Sequence, residues 1–522
     1  MRRLGIEGCG EAVIAVSWVA AIAIALTACS TGPGDAPTDQ ADAGQVAVDA
    51  NTPDSSMDDA GRMPDSGTTA DAGESADAGE PSDAGATGDA GAPLASVCAT
   101  RSAEIAASTG ATIFVSPASD GLVSVGGGGS RSLREVVSGA AEGTTILLED
   151  GTYLLPEAQV GGYSGLYFTT ANVTLRGASG DPHAVIIDSA YRDHGGSTAP
   201  ITVAAAGVVL ADFTVQRSIF HLIHLWAAGD DALIHRVRLV DGGQQFLKAS
   251  PGSDERVDDV EVSCSQFLMS DDGRDNVWGY GQVGGNTACY TGGIDTHESR
   301  RWWVHDSRFE GIYCEQGGPQ RPVHGRKADV RGGLTYTGGL SEHAVHMWDA
   351  EPGGGHRIER NTIVNCARGI GLGFRTETYD TVIQNNIIFS RFPGGPGHDV
   401  GISVERAHNT QVDNNTVFFS ASNSYSSTIE YRYASTADLS IRNNLTNRRI
   451  RSRNDATASL LSNVSDAAPE WFVDATQGDL HLATCDIPRV SGAGESLPGV
   501  QDDIDQQPRG ASNDIGADQC SP

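Results

Sequence analysis

A pair of apolar residues, spaced five positions apart, recurs from Leu210 onward and constrains the fold of this chain more than any other feature. The pair occurs as Leu210/Val215, Ile234/Leu239, Val262/Phe267, Val304/Phe309, Ile358/Ile363, Ile383/Ile388 and Val412/Val417. Most successive pairs are 24 to 29 residues apart, near the length of one β-helix coil, and the two longer intervals predict insertions. Short β-rich strands at such a period favour a solenoid over a β-sandwich.

A recurring asparagine supports the same architecture. It follows the first apolar residue of the later repeats by three positions, at Asn361, Asn386, Asn415 and Asn444. Aligned by coil, these side chains would stack at one turn, because an amide both donates and accepts hydrogen bonds. We therefore predict an asparagine ladder along the solenoid.

The run SLREVVSGAAEGTTILLEDGTY, residues 132–153, predicts how the solenoid begins. Ser132 is a helix N-cap before a short amphipathic helix, and a β-branched strand and an Asp-Gly turn follow. This run resembles the N-terminal cap of right-handed parallel β-helix proteins of the pectate-lyase-like superfamily. Residues 173–177 (VTLRG) and 500–518 resemble further segments of such proteins. The resemblance covers roughly residues 100–520 and implies a single-stranded right-handed parallel β-helix solenoid with a short N-terminal capping helix.

The N-terminus predicts export and lipid anchoring. Two arginines precede an apolar run at about residues 12–26, which is too short to span a bilayer, and small residues lead into Cys29. This resembles a bacterial lipoprotein signal peptide (residues 1–28), with lipidation at Cys29; an ordinary secretory signal is the alternative. Ser30 follows, not the Asp that retains many lipoproteins at the inner membrane. We therefore expect a protein lipid-anchored at the outer membrane or cell surface.

The sequence predicts that residues 29–95 form a disordered acidic tether and that residues 96–522 form the β-helix domain. Between Thr31 and Leu94 the chain is rich in Asp, Ala and Gly, has no aromatic residue and has one basic residue. Such a composition cannot bury enough apolar surface to fold. The formal net charge of −32 excludes nucleic acid as an expected partner. We expect a monomer that contacts the membrane through its lipid anchor.

Seven cysteines follow the predicted anchor, and in an exported protein they are candidates for disulfides. Proximity in sequence suggests the pairs Cys264–Cys289, Cys314–Cys366 and Cys485–Cys520, with Cys98 left over. Other connectivities stay open, because spacing alone does not determine pairing.

Strand alternation predicts one exterior column of polar and aromatic side chains. Residues two apart on a strand share a face, and stacked coils lie about 4.8 Å apart. The side chains expected outside are His224 and Trp226, Phe246 and Lys248, Asp295 and His297, His346 and Trp348, and then Gly371, Gly373 and Arg375. The two insertions, at about residues 269–290 and 313–340, flank this column and predict a cleft.

This column predicts a protein that acts on an acidic polysaccharide, because aromatic faces stack on sugars and cations bind uronate carboxylates. Cleavage by β-elimination needs a base, a cation for the carboxylate and an acid for the leaving oxygen. The candidate catalytic residues are Lys248 or His297 as base, His346 as acid, and Arg375 or Lys248 as cation. The candidate substrate-binding residues are His224, Trp226, Phe246 and Trp348. The Lys248–Ser250 stretch is similar to the lysine-bearing strand of the alginate lyase and chondroitinase B group, but the Arg-His pair that follows there is absent.

Other functions stay open. Hydrolysis is less favoured than elimination, since the clustered Asp271 and Asp272 lie in an insertion and not on a stacked strand. The other class of function is a non-catalytic, adhesin-like glycan-binding protein, which predicts scattered aromatic residues without converging titratable groups.

No cofactor follows from the sequence, and Ca²⁺ is the candidate metal ion. Carboxylates at Asp271, Asp272 or Asp295 would bind it. A zinc site of Asp295, His297 and His346 is also open. In the segment from Glu342 to His346 (EHAVH), both histidines could bind zinc only at a turn, because positions i and i+3 of a strand face opposite sides.

Overall fold

The computed structural model describes residues 91–522 apart from residues 107–109, 119–120, 127, 161, 196–198, 254, 276–278, 282–286, 290, 315–320, 323–334, 337–339, 350–351, 374–375, 396, 511 and 521–522. The predicted signal peptide with Cys29, and the predicted tether up to residue 90, lie outside the described residues. Of the helices in the described part, none combines the length and apolar character that crossing a membrane requires.

Three sheets run along the described chain, and the chain visits them in turn. Sheet 1 contains, in spatial order, Gly128–Ser132, Leu122–Val125, Thr112–Pro117, Thr145–Leu148, Thr174–Gly177, Val209–Ala211, Leu233–His235, Glu261–Ser263, Trp303–His305, Arg357–Glu359, Val382–Gln384, Gln411–Asp413, Ser440–Arg442 and Ser459–Leu461. Sheet 2 contains Gly151–Leu154, Val185–Asp188, Thr214–Ser218, Arg238–Gly242, Gln266–Leu268, Arg308–Glu310, Thr362–Val364, Ile387–Ser390, Thr416–Phe419 and Leu445–Thr446. Sheet 3 contains Leu166–Phe168, Ile201–Val203, Ile223–Trp226, Gln245–Ser250, Gly292–His297, His343–Trp348, Arg368–Leu372, Ile402–Glu405, Ser427–Arg432 and Arg449–Arg453.

Smaller elements complete the described chain. Two-stranded pairs join Gly279–Gly281 to Thr287–Cys289, Arg321–Pro322 to Thr335–Tyr336, Thr378–Tyr379 to Ala407–His408, and Phe472–Asp474 to Asp479–Leu482. The helices are Gly91–Ala106, Leu133–Ser138, Asp271–Asp275 and the 3₁₀ turn Pro469–Trp471.

The sheets are parallel because each coil places its strands beside those of the coil before. Sheet 1 departs from this only at one end, where Leu122–Val125 pairs antiparallel with both of its neighbours. The repeated apolar pairs face the interior: Leu210 aligns with Ile234, and all their counterparts belong to one hydrophobic core cluster. Phe267 and Phe309 stack there with ring centroids 4.4 Å apart. The parallel β-helix predicted from the repeat is confirmed.

The asparagine ladder is also confirmed. The side-chain oxygen of Asn386 accepts from the backbone N–H of Asn361 at 3.0 Å, and that of Asn415 accepts from the backbone N–H of Asn386 at 3.0 Å. Each preceding residue, such as Asn385 at φ 55°, is left-handed, which turns the chain from sheet 1 to sheet 2. The ladder extends beyond the predicted members to Asn463 at one end and to Ser307 and Ser265 at the other.

The helix predicted after Ser132 is present as Leu133–Ser138. Ser132 is its N-cap, and its side chain accepts from the backbone N–H of Glu135, whose own carboxylate accepts from the N–H of Ser132. Leu133, Val136 and Val137 are buried in the same core cluster as the coils. The short helix is therefore held by its capping residues and by its apolar face.

The disulfides correct two of the suggested pairs. Cys98 bonds Cys264, with their Cα atoms 6.0 Å apart, so the pair Cys264–Cys289 is wrong. The pair Cys314–Cys366 is also wrong, because Cys366 is a buried free thiol. The pair Cys485–Cys520 is confirmed. Sequence spacing failed because the Gly91–Ala106 helix brings Cys98 beside a strand 166 residues later in the chain.

Candidate functional site

Sheet 3 aligns the predicted exterior residues in one column. Its register joins, from coil to coil, His224, Lys248, Asp295, His346 and Gly371. Beside this column His297 aligns with Trp348. The intervening Ile294 and Val345 are fully buried in the core cluster, as alternation predicts.

Asp295 is the centre of the cluster. Its Oδ2 contacts the Lys248 ammonium and lies 3.3 Å from Nε2 of His297. Its Oδ1 accepts from Nε1 of Trp348 at 3.0 Å and lies 3.3 Å from Nδ1 of His346. Burial alone would raise the pKa of Asp295, but the charge of Lys248 and the hydrogen bond from His346 hold it well below its usual range. Asp295 is therefore a carboxylate that organises four neighbouring groups.

His346 is held as a cation. Its Nδ1 faces Asp295, and its Nε2 lies 2.9 Å from the carbonyl oxygen of Gly373. Burial lowers the pKa of His346, but the hydrogen bond and charge of Asp295 outweigh this and raise it. Both ring nitrogens face acceptors, which only the doubly protonated imidazolium satisfies. His346 is thus less available as a general acid than predicted, since both N–H groups are already bonded.

His297 and two tryptophans form the accessible rim of the cluster. Nε2 of His297 lies 2.7 Å from Nζ of Lys248, and 28% of its side chain is exposed. Its ring lies 4.2 Å from that of Trp348. Trp226 is 36% exposed and packs on His224 at 4.5 Å. By contrast Lys248 is only 6% exposed.

His224 belongs to the wall of the site. Its Nε2 bonds the Ser250 hydroxyl at 3.0 Å, and the residue is buried. Burial, with the nearby charges of His221 and Lys248, lowers the pKa of His224 well below its usual value. The ring is therefore neutral, and only its packing against Trp226 reaches the surface.

Two predictions about orientation are wrong for one physical reason. Phe246 is fully buried in the hydrophobic core and cannot contact a substrate as predicted. At the equivalent position two coils later, Ala344 and the following Val345 both lie in the core. The chain turns a corner as it enters sheet 3, so two consecutive residues face inward and alternation starts only afterwards.

The same corner places His343 outside together with His346. Their ring centroids are 4.8 Å apart, so the expectation that they face opposite sides is wrong. Burial and the nearby His346 lower the pKa of His343 well below its usual value. The exterior position of His343 was not predicted from the sequence. A signal for it exists: a small residue followed by a β-branched one marks the corner, as Ala344–Val345 on this strand and Gly369–Ile370 on the next.

The remaining predicted residues contribute less to the site. Arg375 lies outside the described residues. Asp271 pairs with Arg274 inside its short helix. At Asp295, the candidate metal ligand with His297 and His346, the Lys248 ammonium bonds one carboxylate oxygen.

The cluster combines the groups that chemistry on an acidic sugar requires. Lys248 and His346 are cations on either side of the Asp295 carboxylate. His297 is a partly exposed imidazole beside these charges. The tryptophans offer flat apolar faces beside these charges.

Comparison with known proteins finds solved structures that resemble this chain only distantly. No family model matches the chain, and no curated protein matches it. Similar solved structures include pectate lyase Pel9A (TM-score 0.44, 14% identity, 75% of this chain and 91% of that chain). The PL6 family alginate lyase AlyGC has TM-score 0.29 and 10% identity over 68% of this chain and 58% of that chain. PfbA, a surface adhesin of Streptococcus pneumoniae, has TM-score 0.26 and 10% identity over 62% of this chain and 84% of that chain. With every one of these TM-scores below 0.5, the likenesses assign no activity to this chain.

Proposed function

We propose that this protein cleaves an acidic, uronate-containing polysaccharide by β-elimination at the exterior face of sheet 3. The observation that carries the proposal is the convergence of Lys248, His297 and His346 on the single carboxylate of Asp295. A glycan-binding surface needs aromatic faces and hydrogen-bonding groups but has no use for a linked set of titratable groups.

Lys248 is proposed to neutralise the uronate carboxylate. An ammonium has three N–H donors, and Asp295 and His297 accept two of them within the described chain. The third is then directed to the substrate. Neutralising the carboxylate acidifies the neighbouring C5 proton, because the charge that develops during its removal spreads onto that group.

His297 is proposed as the base. It is the most exposed titratable member of the cluster, and its Nε2 accepts from Lys248. When the substrate carboxylate draws Lys248 away, the lone pair on Nε2 becomes free. His297 then takes the C5 proton, the electron pair forms the C4–C5 double bond, and the C4–O bond to the leaving sugar breaks. The leaving oxygen takes a proton from water.

The test is formation of unsaturated uronate, followed by its ultraviolet absorbance, with the purified protein and a panel of uronate polysaccharides. We expect His297→Ala and Lys248→Met to lower the rate by at least about 100-fold. His183→Ala, at an exposed histidine apart from the cluster, is the matched control and should keep full activity. A rate that survives His297→Ala would contradict the assignment of the base.

A non-catalytic glycan-binding role is the second candidate, favoured because the Asp295 carboxylate already pairs with both buried cations, Lys248 and His346. It predicts that no polysaccharide of the panel yields unsaturated product, while binding on a glycan array persists and weakens in Trp226→Ala. That pair of results would replace elimination by binding.

We also propose that the protein acts at the cell surface, tethered by lipid on Cys29 through the acidic segment 29–95. Its support is the signal-like sequence alone. Fractionation of cells that express the wild type and Cys29→Ala, with mass spectrometry of the N-terminal peptide, tests it. Unmodified Cys29 in the wild type would contradict anchoring.

A further inference from the structure

Beside the proposed catalytic cluster lies a second group of side chains with the chemistry of a metal site. Glu342, His343 and His346 each offer a ligand atom, and these atoms all lie within 4.8 Å of one another. All three reach the exterior where the chain turns into the His343–Trp348 strand. Two imidazoles and a carboxylate are a ligand set that catalytic zinc sites use.

His343 has the features of a ligand without its ion. The residue is 8% exposed, and its Nδ1 is buried with no hydrogen-bond partner among the described residues. Such a buried polar atom is costly unless something bonds it. A Cβ at Gly371 would lie 2.6 Å from Nε2 of His343, so glycine in the next coil is what leaves room for this ring.

His346 has the supporting carboxylate that metal-binding histidines usually have. Its Nδ1 faces Asp295 at 3.3 Å, which leaves Nε2 as the ligand atom. Nε2 lies 2.9 Å from the Gly373 carbonyl oxygen, a bond that it would exchange for a metal ion, with loss of its proton. Asp295 would then bond Lys248 through one oxygen and support the metal ligand through the other.

We propose that Glu342, His343 and His346 bind one divalent transition-metal ion, with Zn²⁺ the best match. Bonds of about 2.0–2.1 Å place the ligand atoms of a tetrahedral site about 3.4 Å apart. Because the three ligand atoms now lie within 4.8 Å of one another, each pair must approach by at most roughly 1.4 Å. Ca²⁺ is a poorer match, because it prefers oxygen ligands. The three ligands leave one position for water or a substrate oxygen. This inference does not rest on the proposed elimination.

The test is titration of the chelator-treated full chain with Zn²⁺ by calorimetry, without substrate. We expect one Zn²⁺ per chain, and His343→Ala should weaken binding by at least about 100-fold. The matched control is His398→Ala, which removes another buried histidine with an unpartnered Nδ1 on a loop before a sheet 3 strand. It should bind Zn²⁺ as the wild type does.

Two further variants separate metal binding from folding. Gly371→Ala, which pushes the His343 ring aside, and Glu342→Gln, at a partly exposed residue, should each weaken binding while the circular dichroism melt stays cooperative. Co²⁺ in place of Zn²⁺ should give a visible spectrum without thiolate charge transfer. Absence of stoichiometric binding, equal binding by His343→Ala, or a thiolate spectrum would each overturn the proposal. None of these results would affect the test of the elimination reaction.

Discussion

Replacing Asp295 by asparagine tests whether its carboxylate holds the cluster together. The substitution keeps the shape of the side chain and its bond from Trp348, but removes the negative charge. Lys248 then has no anion at its ammonium, and His346 loses the acceptor of its Nδ1 proton. Both groups are nearly fully buried, so water does not replace the lost partner.

The expected loss in free energy of unfolding is about 3–5 kcal/mol, the usual cost of removing one partner from a buried ion pair. Most of that cost comes from the uncompensated ammonium. Adding Lys248→Met to Asp295→Asn removes the unpaired charge and should restore stability, because a buried ion pair replaced as a whole is often nearly neutral. The two substitutions should therefore be non-additive by more than about 1.5 kcal/mol.

Equilibrium unfolding in urea, followed by circular dichroism for the wild type, both single variants and the double variant, measures this coupling. An unchanged dependence on urea concentration verifies that the same surface is exposed in each case. Asp486→Asn, at an exposed carboxylate, is the matched control and should change stability by less than about 0.5 kcal/mol. If the double variant loses the sum of the two single losses, Lys248 and Asp295 do not interact as described.

Three further predictions concern the scaffold. Asn386→Ala removes the acceptor of the Asn361 N–H and the amide that donates to the Ile358 and Gln384 carbonyls, and should lower the free energy of unfolding by about 3–5 kcal/mol. The exposed Asn423→Ala should lower it by less than about 0.5 kcal/mol, and urea unfolding measures both. Burial lowers the pKa of His194 to about 4, so this histidine takes up its proton in the unfolded chain first as the pH falls below about 6.5. Its contribution to the free energy of unfolding should therefore fall by about 3 kcal/mol by pH 4, and His194→Gln should remove that part of the pH dependence. Cys98→Ala removes the disulfide that closes a loop of 166 residues and should lower the free energy of unfolding by about 2–5 kcal/mol, measured by calorimetry. Cys366→Ala, which breaks no disulfide, is the control.

The fold could be predicted from the sequence because its determinants repeat locally. Each apolar pair, such as Ile358 and Ile363, spans one turn between two strands, and each ladder asparagine lies in that same turn. The repeat therefore carries both the period and the register. The bond between Cys98 and Cys264 could not be predicted in this way, because it depends on where a helix outside the repeat packs.

The site could be predicted only where strands alternate regularly. Lys248, Asp295 and His346 lie well inside their strands, so the period of two placed them in one column correctly. Phe246 and His343 lie at the corner that precedes regular alternation, where two consecutive residues face inward. Which histidine nitrogens already have partners also needed coordinates, since it depends on neighbours from coils about 25 to 50 residues away in sequence.

In the solenoid, the inward face of a strand packs in the core and stabilises the fold, while its outward face carries the polar groups of the candidate site. On sheet 3 the inward residues Ile294 and Val345 continue the apolar core, and the outward residues on the same strands carry the charges. The column alternates in sign, from the cation of Lys248 to the carboxylate of Asp295 to the cation of His346, because parallel register sets each group beside its counterpart one coil away. That order gives each buried charge an opposite neighbour about 4.8 Å along the column. In the proposed elimination an anionic sugar would pair with Lys248, and a neutral residue at position 248 would remove that pairing while the inward face of the strand kept its place in the core.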